Sequence, residues 1–415
     1  MNLFRYKNYI IPSILFYLIP LGLVTGPFLP DLFLSTIAIL FLVDIIKNKN
    51  FFFIHTNFFK IFLFFYFILI LSSIFSQHSS FSLETSILYI RYFFYTLAIS
   101  FLFIEKPKLL SKFINFLFFI VMIVVFDGYI EFIFGKNILG ISSPDPSRIL
   151  SFFHAMIIGS FLSKIMPLLF IYLIIKENKK KYLYLIYSFI CLTYLIIFLS
   201  GERSAFFHAT IIFILISIAL KETRSIFIFA AIFISVIIGS ITASNEVIKK
   251  RMYSSVIDGL SLEKLSNQNN NQELIIFSSV HDKLIRVAYN IFKDNKLLGS
   301  GPNTFRISCK EYSNSIYQNN GGCQTHPHNT YAQLLSEIGI LGIFIILLLY
   351  FFLIIELFKY FFKSKNKNQS IHFCLIIYFL IVLFPFTPTG NFFNNWICAI
   401  YFLPLGIFLS NLKKI

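Results

Sequence analysis

Two histidines and an asparagine lie together in HPHNTYAQLLSEIGILG (326–342), where a polar stretch ends and an apolar one begins. The pattern predicts that His328 stands at the start of a helix capped by Asn329 or Thr330. Because a helix N-terminus disfavours a positively charged imidazole, the ring should stay neutral near pH 7 and be able to accept a proton. We interpret His328 as a candidate general base; capping or packing at the membrane interface is the alternative.

A second chemical feature is the arginine of SGERSAF (200–206). Gly201 should end one apolar helix, and the next begins within one or two residues, so that Arg203 lies at a helix N-terminus. There the guanidinium and the free backbone N–H groups can point at the same anion. Arg203 is therefore a candidate anion-binding residue, and an ion pair with Glu202 is the alternative.

A third candidate is Arg286, in the long polar loop ahead of His328. The loop contains a predicted amphipathic helix over 281–297, and GSGPN (299–303) should end it in a turn. Its apolar residues recur at helical spacing on one face: Leu284, Val287, Ala288, Ile291 and Phe292. Arg286 lies on the other face, four residues after Asp282, so that anion binding competes with a solvated i,i+4 ion pair.

The elements that carry these residues follow from a composition that is 57% hydrophobic and only 13% charged. Such a chain is not an ordinary soluble protein. Apolar runs of membrane-spanning length recur from end to end, and backbone hydrogen bonding in lipid requires them to be helices. We predict an all-α polytopic membrane protein with about twelve spans, at 9–25, 29–46, 58–75, 86–104, 113–134, 152–175, 182–199, 204–220, 225–243, 333–358, 372–387 and 392–411. The predicted domains are a membrane part (1–243), a large loop (244–332) and a second membrane part (333–415).

The net charge of +16 is explained by membrane topology and not by nucleic-acid binding. Seven basic clusters, from Arg5/Lys7 to Lys413/Lys414, fall on one side in a twelve-helix count, while the short loops 76–85 and 387–391 on the other side contain no lysine or arginine. The positive-inside rule then places both termini in the cytoplasm and the loop 244–332 outside the cytoplasmic membrane.

Charges within the predicted spans form a further set of candidates. Arg91 in the fourth span and Lys164 in the sixth are costly in lipid unless they are paired or hydrated, so each is a functional candidate. Asp127 and Glu131, one turn apart in the fifth span, are available as counter-charges, and a structural ion pair between helices is the alternative. Arg148 follows SSPDPS on the outer side, where it is a candidate for contact with an anion.

The large loop also contains Cys309 and Cys323. Outside the cytoplasm an oxidising compartment permits a disulfide between them. The bridge would close a loop of about 15 residues and contribute roughly 3 kcal/mol. Two unpaired thiols are the alternative.

Taken together, SGERSAF, RVAYNIFKDNKLLGSGPNTF (286–305) and HPHNTYAQLLSEIGILG resemble the O-antigen ligase and polymerase superfamily of bacterial membrane glycosyltransferases. The resemblance extends over about 180–345, and the N-terminal third matches only as a hydrophobic scaffold. It implies a GT-C-like fold with one large periplasmic loop between the ninth and tenth helices. It also implies an active site on the periplasmic side of the inner membrane, made of Arg203, Arg286 and His328.

The resemblance further implies an inverting transfer of a glycan from undecaprenyl pyrophosphate, with no cofactor. His328 would deprotonate the acceptor hydroxyl, and the arginines would hold the pyrophosphate. We expect His326, Asn329, Arg148 and Arg91 to bind substrate, with a purely structural role as the alternative for His326. We expect no catalytic metal, because two histidines are too few for a closed zinc site and the outer loops hold no close carboxylate pair.

The acceptor separates the members of this superfamily. A ligase transfers the glycan to lipid A–core, as in lipopolysaccharide biosynthesis, and a polymerase transfers it to another lipid-linked repeat. The single large loop that ends in His-x-His-Asn favours the ligase. A flippase or exporter of lipid-linked glycans is the alternative from a different class; Arg91 and Lys164 would suit it, whereas an arginine and histidine site in one outer loop would not.

Overall fold

The computed structural model describes residues 10–49, 51–176, 180–220, 224–254, 279–316, 322–362 and 366–412, and it shows an all-α polytopic membrane protein. Short 3₁₀ and π turns occupy Phe52–His55 and Lys250–Ser254. The α-helices are α1 (Ile10–Thr25), α2 (Phe28–Lys47), α3 (Asn57–Ile74), α4 (Ser79–Leu88), α5 (Ile90–Glu105), α6 (Lys108–Phe134), α7 (Ile158–Lys176), α8 (Lys180–Leu199), α9 (Arg203–Ala219), α10 (Arg224–Ser244), α11 (Glu246–Lys249), α12 (Ser279–Asp294), α13 (Phe305–Ile316), α14 (Thr330–Phe362), α15 (Lys367–Val382) and α16 (Asn395–Leu412).

Each of the twelve predicted spans coincides with an apolar helix. Within the described ranges, eight helical segments are long and apolar enough to cross a membrane, and four shorter apolar helices complete the set. The fourth span is longer than predicted, because α4 and α5 run almost continuously from Ser79 to Glu105. The sixth is shorter, because residues 152–157 belong to the connection that precedes α7.

The interior of the bundle is formed by helices that are apolar on all sides, as expected for segments without a solvent-facing surface. Most residues of α7, α15 and α16 are buried. α16 packs on α5, and α15 packs on α7. By contrast, α10 exposes Phe229, Phe233 and Val236, which is typical of a helix that faces lipid.

The charges within the spans are paired differently from the sequence prediction. Arg91 forms an ion pair with Asp31 at 2.9 Å, and its Nη2 also donates to Asn395 Oδ1 at 3.0 Å. Asp31 on α2 therefore supplies the counter-charge, and the suggestion of Asp127 or Glu131 is wrong. No sequence pattern links two helices so far apart along the chain.

Asp127 and Glu131 hold the connection between α6 and α7 instead. Asp127 accepts from the backbone N–H of Ile138 at 2.8 Å and from the Ser151 hydroxyl at 2.7 Å. Glu131 accepts from the backbone N–H of Leu150 at 3.1 Å and of Ser151 at 2.6 Å. Buried carboxylates need such donors, so these two shape a non-helical segment at the membrane edge.

The loop helices are fastened to the first turns of α14. Ser300 N–H donates to the carbonyl of Ser336 at 2.9 Å, and Gly301 N–H donates to that of Glu337 at 2.8 Å. The buried Glu337 carboxylate accepts from Phe305 N–H at 2.9 Å, at the start of α13. These bonds fix α12 and α13 against the membrane helices.

The close approach requires a bend in α14 at Gly339, where φ is +65° and ψ is −165°. Ile340 N–H then leaves the helical pattern and donates to the carbonyl of Lys296 at 3.0 Å. A Cβ atom at position 339 would lie 2.3 Å from the Leu297 carbonyl oxygen. Glycine is therefore needed for both its conformation and its size.

We expect Gly339→Ala to lower the free energy of unfolding by at least about 2 kcal/mol, because this backbone region is essentially restricted to glycine. Thermal unfolding of the purified protein in detergent measures the effect. The matched control is Gly239→Ala in α10, where an added Cβ meets no atom within 4 Å. The control should melt at or above the wild-type temperature, and equal melting of the two variants would contradict the role assigned to the bend.

Candidate active site

Most of the sequence-predicted residues belong to elements at one end of the bundle, which we call the loop side. This end holds α12, α13 and the connections 75–78, 135–157, 200–202, 245–254, 322–329 and 383–394. Its parts are joined by backbone bonds such as Thr389 N–H to the His328 carbonyl at 2.9 Å. Another link is the hydrogen bond from Arg251 Nε to the Gly201 carbonyl at 3.2 Å.

His328 lies at the centre of three histidines, which we call the histidine cluster (His281, His326 and His328). Its ring centroid lies 4.1 Å from that of His326 and 5.6 Å from that of His281 on α12. Its Nε2 is 2.7 Å from Gln324 Oε1. The backbone of His328 is left-handed, with φ +53°, and the helix begins two residues later at Thr330.

Asn329 is the helix cap, as the sequence allowed. Its Oδ1 accepts from Ala332 N–H at 3.0 Å, and its Nδ2 donates to the Pro385 carbonyl at 2.8 Å. Both ends of the amide are thus used within the protein. We assign Asn329 to holding the segment of His328 in place, in preference to the substrate contact predicted from sequence.

His326 is buried, and both of its ring nitrogens have partners. Nε2 lies 3.3 Å from the Thr389 carbonyl, and Nδ1 lies 3.0 Å from the Thr325 hydroxyl. Because a carbonyl only accepts, Nε2 carries the proton and Nδ1 accepts. Burial, reinforced by the neighbouring His328, lowers the pKa of His326 to about 3. This geometry favours the structural alternative for His326 over acceptor binding.

The remaining members of the cluster are also held neutral. Burial is the largest cause that lowers the pKa of His328, and His281 adds to it. Burial likewise lowers the pKa of His281, and the charge of Arg203 acts in the same direction. The predicted neutrality of His328 therefore rests mainly on burial, whereas the sequence argument attributed it to the helix N-terminus. A neutral imidazole can accept a proton.

Arg203 is the first residue of α9, and it is exposed on the loop side. Glu202 does not pair with it, so that alternative is wrong. Instead, the Glu202 carboxylate accepts from Gly159 N–H at 2.7 Å and Ser160 N–H at 3.0 Å, and it lies 3.9 Å from Arg148. Within the described part of the chain Arg203 has no ion pair, and no side chain caps the N–H groups of α9. An uncapped helix N-terminus with a free guanidinium is suited to an anion.

Arg251 is a residue that the sequence argument missed. It lies close enough to Arg203 for their charges to repel, and its Nη1 is 4.0 Å from Asp145 Oδ2. The available signal was KKR (249–251), directly after a span on the side where basic residues are disfavoured.

His281 was missed as well. It precedes Leu284 by three residues and Ala288 by seven, so it shares the buried face of α12. That spacing was visible in the sequence, but the contact with His328 was not.

The other predicted residues occupy different places. Arg286 is half-buried on α12, five residues after His281, so it projects from another side of that helix. The α12 side chain that the structure places against His328 is His281. Arg91 is occupied by Asp31 and Asn395. Arg148 donates to the Met156 carbonyl and faces Glu202, so the contacts of both arginines are with the protein.

The disulfide permitted by the sequence is present between Cys309 and Cys323, with their Cα atoms 5.1 Å apart. It links α13 to the segment that carries the histidines. In the described ranges, no group of three or more His, Cys, Asp or Glu side chains is arranged to hold a metal ion.

The low pKa of His326 predicts a pH-dependent stability. Between pH 6.5, the ordinary pKa value, and about pH 3, the unfolded chain binds a proton that the folded protein does not. The free energy of unfolding should therefore fall as the pH drops through this window, by at most about 1.4 kcal/mol per unit from this residue.

Urea unfolding at several pH values measures that slope. His326→Gln keeps a donor for the Thr389 carbonyl and removes the titrating ring, so it should flatten the slope. The matched control is His55→Gln, an exposed position in the Phe52–His55 turn, which should keep the wild-type slope. Equal slopes in all three proteins would show that His326 is not buried in its neutral form.

One comparison with known proteins gives a match. Residues 186–347 match the family model described as O-antigen ligase, and no curated protein matches the chain. The matched segment runs from α8 into α14, so it contains Arg203, Arg251, His281, Arg286, His326 and His328. These are the residues around which the loop side is built. Residues 186–347 are therefore similar to the O-antigen ligase family, whose members are membrane glycosyltransferase-like enzymes.

Proposed function

We propose that this protein is an O-antigen ligase, which transfers a glycan from undecaprenyl pyrophosphate to a hydroxyl of lipid A–core. The observation that carries the proposal is the contact of His328 with His281, on which the charge of Arg203 acts, together with the burial that lowers the pKa of both histidines. A base and an anion site in one place are what transfer from a pyrophosphate requires. The match to the O-antigen ligase family supports the same reaction class.

In the proposed reaction His328 accepts the proton of the acceptor hydroxyl. The acceptor oxygen attacks the anomeric carbon, the bond from that carbon to the pyrophosphate oxygen breaks, and the configuration at the carbon inverts. Burial keeps the ring neutral before the step. A positioned base of this kind typically contributes about 10²–10⁴-fold in rate.

The leaving undecaprenyl pyrophosphate keeps the electron pair of the broken bond, and Arg203 binds its growing charge. A planar guanidinium grips two phosphate oxygens at once, and it accelerates the reaction because the charge grows in the transition state. Arg251 adds positive potential beside Arg203, and Arg286 remains a further candidate for the glycan–pyrophosphate. Pyrophosphate leaves readily, so the proposal includes neither a general acid nor a metal.

We place the loop side outside the bacterial cytoplasmic membrane, with the lipid tails of donor and acceptor in the bilayer. The basic clusters at the opposite end of the bundle support this orientation. Labelling of a cysteine introduced at Asn270 with an impermeant reagent, in intact cells with a permeable outer membrane, tests it.

Polymerase activity differs only in the acceptor, which is then a second lipid-linked glycan. The exporter has less support than the sequence suggested, because its two candidate charges lie near acids. Arg91 is paired with Asp31, and Lys164 is within electrostatic range of Glu202. The choice between ligase and polymerase depends on the acceptor. Offering the purified protein both lipid A–core and a lipid-linked repeat, and measuring which of them receives the glycan, decides between the two activities.

We expect His328→Ala to reduce turnover by at least about 100-fold, with donor binding nearly unchanged because Arg203 remains. Transfer from a purified lipid-linked donor to lipid A–core, measured beside donor binding, checks both quantities. His326→Ala should be milder. The matched control is His154→Ala, an exposed loop-side histidine between α6 and α7, which should turn over like the wild type. Normal turnover by His328→Ala would exclude it as the base.

We expect Arg203→Lys to lower kcat/KM by about tenfold or more, although the charge is kept, because an ammonium cannot hold two phosphate oxygens in a fork. The same transfer assay at limiting donor measures this ratio. Arg224→Lys is the matched control, since Arg224 is exposed at the opposite end of the bundle and donates to the Ile218 carbonyl. Equal kcat/KM for both variants would remove Arg203 from the donor site.

A further inference from the structure

We infer that Gln324 is a positioning residue that fixes the tautomer of His328 and leaves Nδ1 as the nitrogen that accepts the proton. The inference rests on the proposed function for the role of His328. Its geometric part, the choice of tautomer, can be tested without any transfer reaction.

The hydrogen bond itself gives the direction. Gln324 Oε1 lies 2.7 Å from His328 Nε2. An amide oxygen only accepts, so Nε2 must carry the hydrogen. In a neutral imidazole the other nitrogen then has the lone pair, and this nitrogen is Nδ1. The Thr389 carbonyl near the ring raises the pKa of His328, so it stabilises a proton once the ring has accepted it.

The position of Gln324 is restrained by the disulfide of the residue that precedes it. Cys323, the preceding residue, is bonded to Cys309 on α13. Cys309 Sγ also lies 3.6 Å from the Gln324 carbonyl oxygen. Cys309 is itself buried against Leu284 and Ile291 of α12. The bridge therefore holds Gln324 to the same helices that bring His281 to the cluster.

The charged groups near His328 explain why the residue that orients its ring should be uncharged. His326 stands on its own segment and His281 on α12. The positive charge of Arg306 on α13 lowers the pKa of His326, and that of Arg203 on α9 lowers the pKa of His281. The negative charge of Asp282 raises the pKa of His281. From 383–394 the group near these rings is the uncharged Thr389 carbonyl. Gln324 can thus orient the ring without adding a charge that would protonate it.

The experiment compares Gln324→Leu and Gln324→Glu with the wild type. ¹⁵N NMR of histidine-labelled protein in nanodiscs reports the tautomer and titration of His328, with His328→Ala for assignment. The wild type should show hydrogen on Nε2, and Gln324→Leu should show a mixture with turnover reduced about tenfold. Gln324→Glu keeps the acceptor and adds a negative charge, which raises the pKa of His328.

The sign of that shift gives a second readout. A base with a raised pKa is protonated at higher pH, so the acid limb of the pH–rate profile should move upwards by about one unit or more in Gln324→Glu. Removing the acceptor in Gln324→Leu should not move the limb upwards. A role of Gln324 in folding alone would lower activity without this shift.

Thr325→Val is the matched control, because it removes the adjacent hydroxyl that contacts His326 and should leave the His328 tautomer unchanged. A wild-type ring with hydrogen on Nδ1, or a tautomer that is the same in Gln324→Leu, overturns the inference. So does full turnover by Gln324→Leu when His328→Ala is inactive. If the tautomer changes as expected but His328→Ala turns over normally, the proposed function fails while the geometric assignment of Gln324 stands.

Discussion

The arrangement of this protein depends on one buried carboxylate, that of Glu337 in α14. It accepts from Phe305 N–H at 2.9 Å and from Gln333 Nε2 at 3.0 Å, and Gln333 in turn donates to Asn391 Oδ1 at 2.7 Å. Glu337, together with Gln333, thus connects α13, α14 and the connection 383–394. A buried carboxylate without its hydrogen-bond donors is energetically costly. Moving α13 away from α14 would remove one of these donors, so the carboxylate holds the loop helices in place. The bend at Gly339 lets them come close enough to satisfy it.

Acidic side chains elsewhere serve the same structural purpose, and this leaves cationic groups free where an anion would bind. Glu202 is occupied by backbone donors at the start of α7, and Glu131 by those of Leu150 and Ser151. Arg203 therefore stands without an acid partner among the described residues. The nearby histidines are kept neutral by burial, so they do not compete for the anion. This arrangement is compatible with the proposed site, in which Arg203 binds negative charge and His328 accepts a proton.

The segment that matches the O-antigen ligase model ends within α14, yet the contacts of the candidate site extend beyond it. Thr389 N–H binds the His328 carbonyl at 2.9 Å, and Pro385 accepts from Asn329 at 2.8 Å. The N-terminal helices contribute as well, since Ser76 Oγ donates to the Ser300 carbonyl at the loop turn. Segments outside the matched residues thus hold the loop side in place through these hydrogen bonds.

The sequence by itself determined the class of protein, the positions of the apolar helices, the amphipathic α12 and the availability of Cys309 and Cys323 for a bridge. These follow from local composition and periodicity, which depend only on neighbouring residues. It also singled out His328 and Arg203 as candidate site residues, through motifs at helix ends. The tertiary structure alone decided that Asp31 pairs with Arg91 and that His281 and Gln324, not Arg286, contact His328. Such contacts depend on how helices remote in sequence pack and on which side of a helix turns inward, and no local pattern encodes them.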